Sequence, residues 1–367
     1  MRKVEFIDLK EQYRQYKTEI DKAIEDVCRN AAFIMGPQVV DLERNLSGFT
    51  GSPYSISCAS GTDALLLALM AIDVKPGDEI ITTPFTFIAT AEVITLLGAK
   101  PVFADIDPVT YNLDYREIEK KISAKTRAVI PVGLYGQTAD MDEINSIAAK
   151  YGITVIEDAC QSFGASYKGR MSCNLSKIGC TSFFPSKPLG CYGDGGALFT
   201  DDAALAEKIK SLRVHGQTSR YFHKYIGING RLDTVQAAVL NVKMKYLKDE
   251  IAKREEIAGI YSEALAGNSS IVLPVVKSDR TSVFAQYSIM VPDREKLMKK
   301  LNDNGVPTAV HYPRPLHLQD AYSGLGYKKG DFPVSENAAE HILSIPMGPF
   351  LKLEDQKYVI KNILENI

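Results

Sequence analysis

The 367-residue chain predicts an α/β fold: a large domain with a central, mostly parallel sheet flanked by helices, then a smaller C-terminal α/β domain. Two observations predict it. Between residues 54 and 159, short apolar segments alternate with helical stretches, the pattern of parallel βαβ units buried on both faces. Beyond residue 234, a long charged helical stretch leads into a second, shorter strand–helix–strand series.

The first elements are helices over 16–30 and 38–49, separated by the Gly36-Pro37 break. The strands are then YSISC (54–58), EIITT (79–83), PVFADI (101–106), RAVIPV (127–132) and TVIEDA (154–159). Helices over 62–72, 86–97, 114–122 and 140–150 connect them. One helix is expected over 234–266, a strand over 283–291, a helix over 294–304 and a strand over 306–312. The domain boundary falls near residue 245, giving a large domain over 1–245 with the N-terminal helices and a small one over 246–367.

Composition excludes several function classes. A formal charge of −2 and the lack of a long basic run give no basis for binding nucleic acid or an anionic membrane. No apolar run approaches the roughly 20 residues of a bilayer span, and charges come too early for a secretory signal. The six cysteines form no CxxC pair and no Cys/His cluster, so they read as free thiols of a cytoplasmic protein, with no metal site expected.

Ligands of such sheets lie beyond the carboxyl ends of the strands, where several chemical groups fall. In TSFFPSKPLGCYGDGGALFT (181–200), Lys187 sits in a turn with glycines at 190, 193, 195 and 196. A lysine there is suited to forming a Schiff base with an aldehyde, though a surface lysine in a glycine-rich loop looks the same. VIEDACQS (155–162) puts Asp158 at the end of an apolar strand, where a carboxylate needs a cationic partner or serves as a turn cap. Gln161 follows as a donor or a plain loop residue. SCASGTDALLLAL (57–69) places Gly61, Thr62 and Asp63 at a helix start, a phosphate-binding position, with capping by Ser60 or Thr62 equally consistent. Phe87 is a stacking or a core aromatic, and Ser182 offers a hydroxyl five residues before Lys187. SCASGTDAL supplies no GxGxxG, which argues against a nicotinamide dehydrogenase.

Taken in order, SGTDAL, TFIATAE, EDACQS, SFFPSKPLGCYGDGGA, RVHGQ, GINGRLDTVQAA and VHYPRPLH resemble the DegT/DnrJ/StrS family of sugar-nucleotide aminotransferases, from FIDLKEQY to SIPM at 344–347. The resemblance implies fold type I of the pyridoxal-phosphate (PLP) enzymes, the aspartate aminotransferase-like fold. It implies that Lys187 binds the cofactor and shuttles protons, Asp158 pairs with the pyridine nitrogen, Gln161 meets the ring oxygen and Phe87 stacks on the ring. Thr62, Asp63 and Ser182 would form the phosphate cup, with Asn229 reaching the neighbouring subunit's cofactor in a homodimer with shared active sites. Arg231, His311 and Tyr312 match positions that contact the sugar nucleotide. The donor implied is L-glutamate. The acceptor implied is a keto sugar nucleotide, closest to UDP-2-acetamido-2-deoxy-3-oxo-glucuronate destined for O-antigen or other surface polysaccharide, with other 3-oxo or 4-oxo hexoses as the alternative. A regulator that binds PLP or a sugar nucleotide is the rival outside enzymes, and the retained Lys187 argues against it.

Overall fold

The computed structural model describes residues 2–367. Helices α1 (Leu9–Asn30) and α2 (Pro37–Thr50) come first. Asp8 opens α1 by accepting from the Glu11 N–H at 2.8 Å, and Pro37, needing no amide partner in a first turn, opens α2. The alternating series follows: β1 (Tyr54–Cys58), α3 (Gly61–Ala71), β2 (Glu79–Thr82), α4 (Ala89–Leu96), β3 (Lys100–Phe103), α5 (Tyr115–Ile118), β4 (Thr126–Ile130), α6 (Met141–Tyr151) and β5 (Thr154–Asp158). A small hairpin, β6 (Ser166–Tyr167) with β7 (Arg170–Met171), leads to β8 (Ile178–Ser182) and β9 (Gly196–Thr200). Helix α7 (Ala203–Leu212), a second hairpin of β10 (Gln217–Ser219) and β11 (Phe222–His223), and helix α8 (Thr234–Met244) complete this part.

Seven strands form the main sheet in the order β1-β9-β8-β5-β4-β2-β3. Pairing is parallel from β8 through β3, and only β9 runs against its two neighbours. The strands are apolar on both sides because both sides are covered. Ile80, Ile130, Ile156, Ile178 and Leu198 pack on one face with α3, α4 and α7. On the other, Ile81, Val129 and Val155 meet α6, and Ala197 and Phe199 meet α2 and α8.

Beyond α8 come α9 (Leu247–Leu265), β12 (Tyr287–Met290), α10 (Arg294–Asp303), α11 (Pro333–His341), β13 (Ile342–Ile345) and α12 (Leu353–Asn366). Strands β12 and β13 pair antiparallel. Their inner residues Tyr287, Ile289, Leu343 and Ile345 pack with Tyr261, Leu301, Val359 and Ile363 into a separate core, which Val4 also joins.

The structure corrects three expectations. The helix over 234–266 is two helices, ending at Met244 and restarting at Leu247. The segment 306–312 is not a strand: only Ala309 bridges to Ser344, and the second strand of the small sheet is β13. Strands β8 and β9, hidden in glycine-rich sequence, lie in the middle of the main sheet.

Candidate active site

The carboxyl ends of β5 and β8, the start of α3 and a loop of the C-terminal region enclose a cavity of about 460 Å³. Gly61, Thr62, Phe87, Asp158, Gln161, Ser182, Lys187, His311 and Tyr312 all line it. Nine residues spread over 250 positions of sequence thus meet in one place.

The floor is set by strand ends. Asp158 is the last residue of β5 and is only 4% exposed. Its carboxylate accepts from the Thr90 hydroxyl at 2.8 Å and the Cys160 N–H at 3.2 Å, so uncharged donors hold it. Lys187 stands on the loop joining β8 to β9. Phe183 N–H donates to Gly195 C=O at 2.7 Å, and Cys191 N–H to Phe183 C=O at 2.8 Å, closing the base of that loop. Beside it, Gly61 opens α3; a Cβ there would lie 2.6 Å from the Ser182 Cβ, so only glycine lets the two segments approach this closely.

Gln161 is oriented by its neighbours. The Tyr135 N–H donates to its amide oxygen at 3.1 Å, which leaves the amide NH₂ to face the Tyr312 hydroxyl at 3.3 Å. Phe87 presents a ring that is 55% exposed, with its centroid 6.2 Å from that of Tyr312.

The opposite wall comes from the C-terminal region. His311 contacts the Ser344 hydroxyl through Nδ1 at 2.9 Å. Burial, with the positive Lys187 nearby, pushes its pKa down to about 4, so the ring is neutral near pH 7. Burial and the Asp158 charge push the Tyr312 phenol well above its ordinary range.

Three predicted residues do not reach this wall. The Asp63 N–H already donates to Ser60 Oγ at 3.0 Å, which is the capping alternative, and burial beside Asp194 raises the Asp63 carboxyl pKa. Asn229 is exposed, and Arg231 is half-buried with its Nε unpartnered among the described residues. Sequence reasoning missed Thr90, Tyr135 and Gln286. Thr90 is the second residue of α4, which Phe87 precedes, so no helical spacing links the two. Nothing local marks Tyr135 or Gln286.

A model described as the DegT/DnrJ/EryC1/StrS aminotransferase family matches residues 14–364. The UDP-2-acetamido-2-deoxy-3-oxo-D-glucuronate aminotransferase of Pseudomonas aeruginosa is 52% identical over 356 residues, covering 97% of this chain and 98% of that one. A Geobacillus stearothermophilus protein named a pleiotropic regulatory protein is 46% identical over 364 residues, covering 99% and 98%. The solved structure of NtdA from Bacillus subtilis with bound cofactor PMP superposes with a TM-score of 0.93 at 32% identity, covering 100% of this chain and 85% of that one. With the match running through nearly every element described above, this chain belongs to the DegT/DnrJ/EryC1/StrS aminotransferase family and is an aminotransferase dependent on pyridoxal phosphate.

Proposed function

We propose that the protein transfers an amino group from L-glutamate to a keto sugar nucleotide, with UDP-2-acetamido-2-deoxy-3-oxo-glucuronate as the acceptor that the Pseudomonas relative's name favours. The observation carrying this reading is the convergence of the Lys187 amine and the buried Asp158 carboxylate on one cavity.

The residues present fit the cofactor. Asp158, buried and held by neutral donors, suits a protonated pyridine nitrogen. The fixed NH₂ of Gln161 suits the ring oxygen, and the Phe87 ring suits the face of the pyridine. The start of α3 at Gly61 and Thr62, with Ser182 Oγ beside it, suits the phosphate. The Asp63 N–H is already engaged by the Ser60 cap, and its carboxylate has the wrong sign for a phosphate. Bound in this cavity, pyridoxal phosphate supplies an aldehyde that captures amines and an electron-poor ring that stabilises charge released at carbon.

The chain's own part is positioning and proton transfer. Lys187 Nζ removes the proton from the α-carbon of L-glutamate in the first half-reaction. In the second it delivers a proton to the sugar carbon that gains nitrogen. Asp158 keeps the ring nitrogen charged throughout. His311 and Tyr312, on the facing wall, hold the sugar nucleotide.

Asn229 and Arg231 serve a second copy of the chain in this reading. The neighbouring hairpin segment exposes Tyr221, Phe222 and Ile226, at 76%, 71% and 91%, as an apolar arm fit for a partner. A homodimer with shared sites follows, and light scattering should give twice the 40.4 kDa chain mass. The six cysteines are free, which supports the cytoplasm as its compartment.

Lys187→Ala tests the reaction class. The variant should lose the visible absorbance that bound cofactor gives the purified protein, and all turnover with glutamate; a variant that still cycles refutes the assignment. The name of the Geobacillus relative favours a second reading, a regulator. Wild-type protein that binds the cofactor but never exchanges its amine with L-glutamate would support that one.

A further inference from the structure

Gln286 immediately precedes β12 and lines the cavity that Lys187 and Asp158 share. Its amide oxygen is buried and finds no hydrogen-bond partner among the described residues. A buried amide oxygen left unpaired is destabilising, so its persistence in a site calls for a reason.

The surroundings supply one. Gln286 also borders a small, partly open cavity of about 20 Å³, lined also by Gln137, Tyr135 and Ser282. The Gln137 amide oxygen is likewise buried and unpartnered, while its NH₂ donates to Val275 C=O at 2.7 Å. Both oxygens are sealed from water, so the NH₂ is the end of the Gln286 amide left to face open space. In the cavity shared with Lys187 and Asp158, that NH₂ is the donor Gln286 has to offer.

The backbone holds Gln286 just as firmly. Tyr135 sits at φ 58° and makes three bonds at once. Its N–H donates to Gln161, its hydroxyl donates to His311 C=O, and its own C=O accepts from the Gln286 N–H at 3.5 Å. One residue therefore fixes a cofactor-side amide, the substrate-side histidine and Gln286 relative to each other. The nearby wall formed by His311 and Tyr312 is neutral near pH 7, and the cavity's cation, Lys187, belongs to the reacting centre. The Gln286 amide beside that wall suits a neutral polar substituent.

We propose that Gln286 is a specificity-determining residue whose amide NH₂ donates to the acyl oxygen of a 2-acylamino substituent on the sugar, beside the carbon that is aminated. This rests on the reading of the cavity as a sugar-nucleotide site.

Calorimetry on the holoenzyme with UDP-N-acetylglucosamine and UDP-glucose tests it, because the two differ at that substituent. Wild-type protein should bind the acetamido sugar at least about tenfold more tightly, and Gln286→Leu should bring the two affinities to within about threefold. A ratio that survives in Gln286→Leu, or both affinities falling by one common factor, overturns the proposal and makes Gln286 a structural residue. If Gln286→Leu binds neither sugar nucleotide, Gln286→Asn, which withdraws the amide by one methylene, decides by the same ratio. Wild-type protein that binds both equally overturns the role of Gln286 alone. Wild-type protein that binds neither overturns the sugar-nucleotide reading beneath it.

Discussion

The floor and the facing wall of the cavity are built on different plans. The floor is assembled from strand ends and a helix start: Asp158 closes β5, Ser182 closes β8, and Gly61 opens α3. Sheet hydrogen bonds fix its groups. The wall is assembled from loops of the C-terminal region, and its groups are fixed one at a time, His311 and Gln286 both through the Tyr135 turn. The difference teaches that, under the proposed reading, the floor would serve the chemistry common to any amine transfer, and the wall the choice of acceptor.

Four substitutions sharpen that contrast. Asp158→Asn removes the buried charge of the floor and, under the proposed pairing with the ring nitrogen, should lower kcat for every amino donor and acceptor by about 10²- to 10³-fold, the scale for losing one preorganised electrostatic partner. Equal kcat in single-turnover experiments would break the division between floor and wall. Gly136→Ala attacks the joint between them. At φ +125° a Cβ would lie 2.5 Å from the Phe284 nitrogen, so the segment carrying Gln286 must shift. A loss of about 1–3 kcal/mol is expected in denaturant unfolding, with the acceptor KM rising more than the KM for glutamate.

The smallest effects concern pH, and here the two regions have opposite signs. Glu157, beneath the floor, has its pKa pushed up from 4.5 to about 7, by burial first and partly offset by the Ser172 hydroxyl. The folded state therefore binds the extra proton, and this contribution to stability is complete below pH 4.5 and lost as pH rises through about 7. His311 is pushed down from 6.5 to about 4, so the unfolded state binds the extra proton. Its contribution is complete above pH 6.5 and lost as pH falls toward about 4. Denaturation midpoints measured from pH 4 to 8 should show Glu157→Gln removing the decline toward neutral pH and His311→Asn removing the decline toward acid. One variant altering both limbs would show that the two regions do not titrate separately.

The same division explains what was legible in the sequence. The βαβ series read cleanly because each strand is a short apolar run with a helix after it, and the floor residues sit at those junctions. The reading failed where structure depends on remote partners. Strands β8 and β9 carry Gly179, Gly195 and Gly196 in or beside them and look like loop, yet Phe199 and Leu198 find packing on both faces. The break at Lys245-Tyr246 interrupts an unremarkable helical pattern; we propose it as the boundary between the domains. Tyr135 and Gln286 matter only through contacts with residues 26 to 176 positions away, which no local pattern records.

One feature of the sheet bears on how such an enzyme changes its substrate. Because β9 returns antiparallel beside β8, the segment 183–195 leaves and re-enters at the same rim of the sheet. The height of the Lys187 amine above that rim is thus set by the spacing of a ladder, with α8 holding the loop through Gln236 and Lys243. The exposed turns around 324–330 and 217–226 lie outside that sheet. Lengthening them would leave the Lys187 amine where it is.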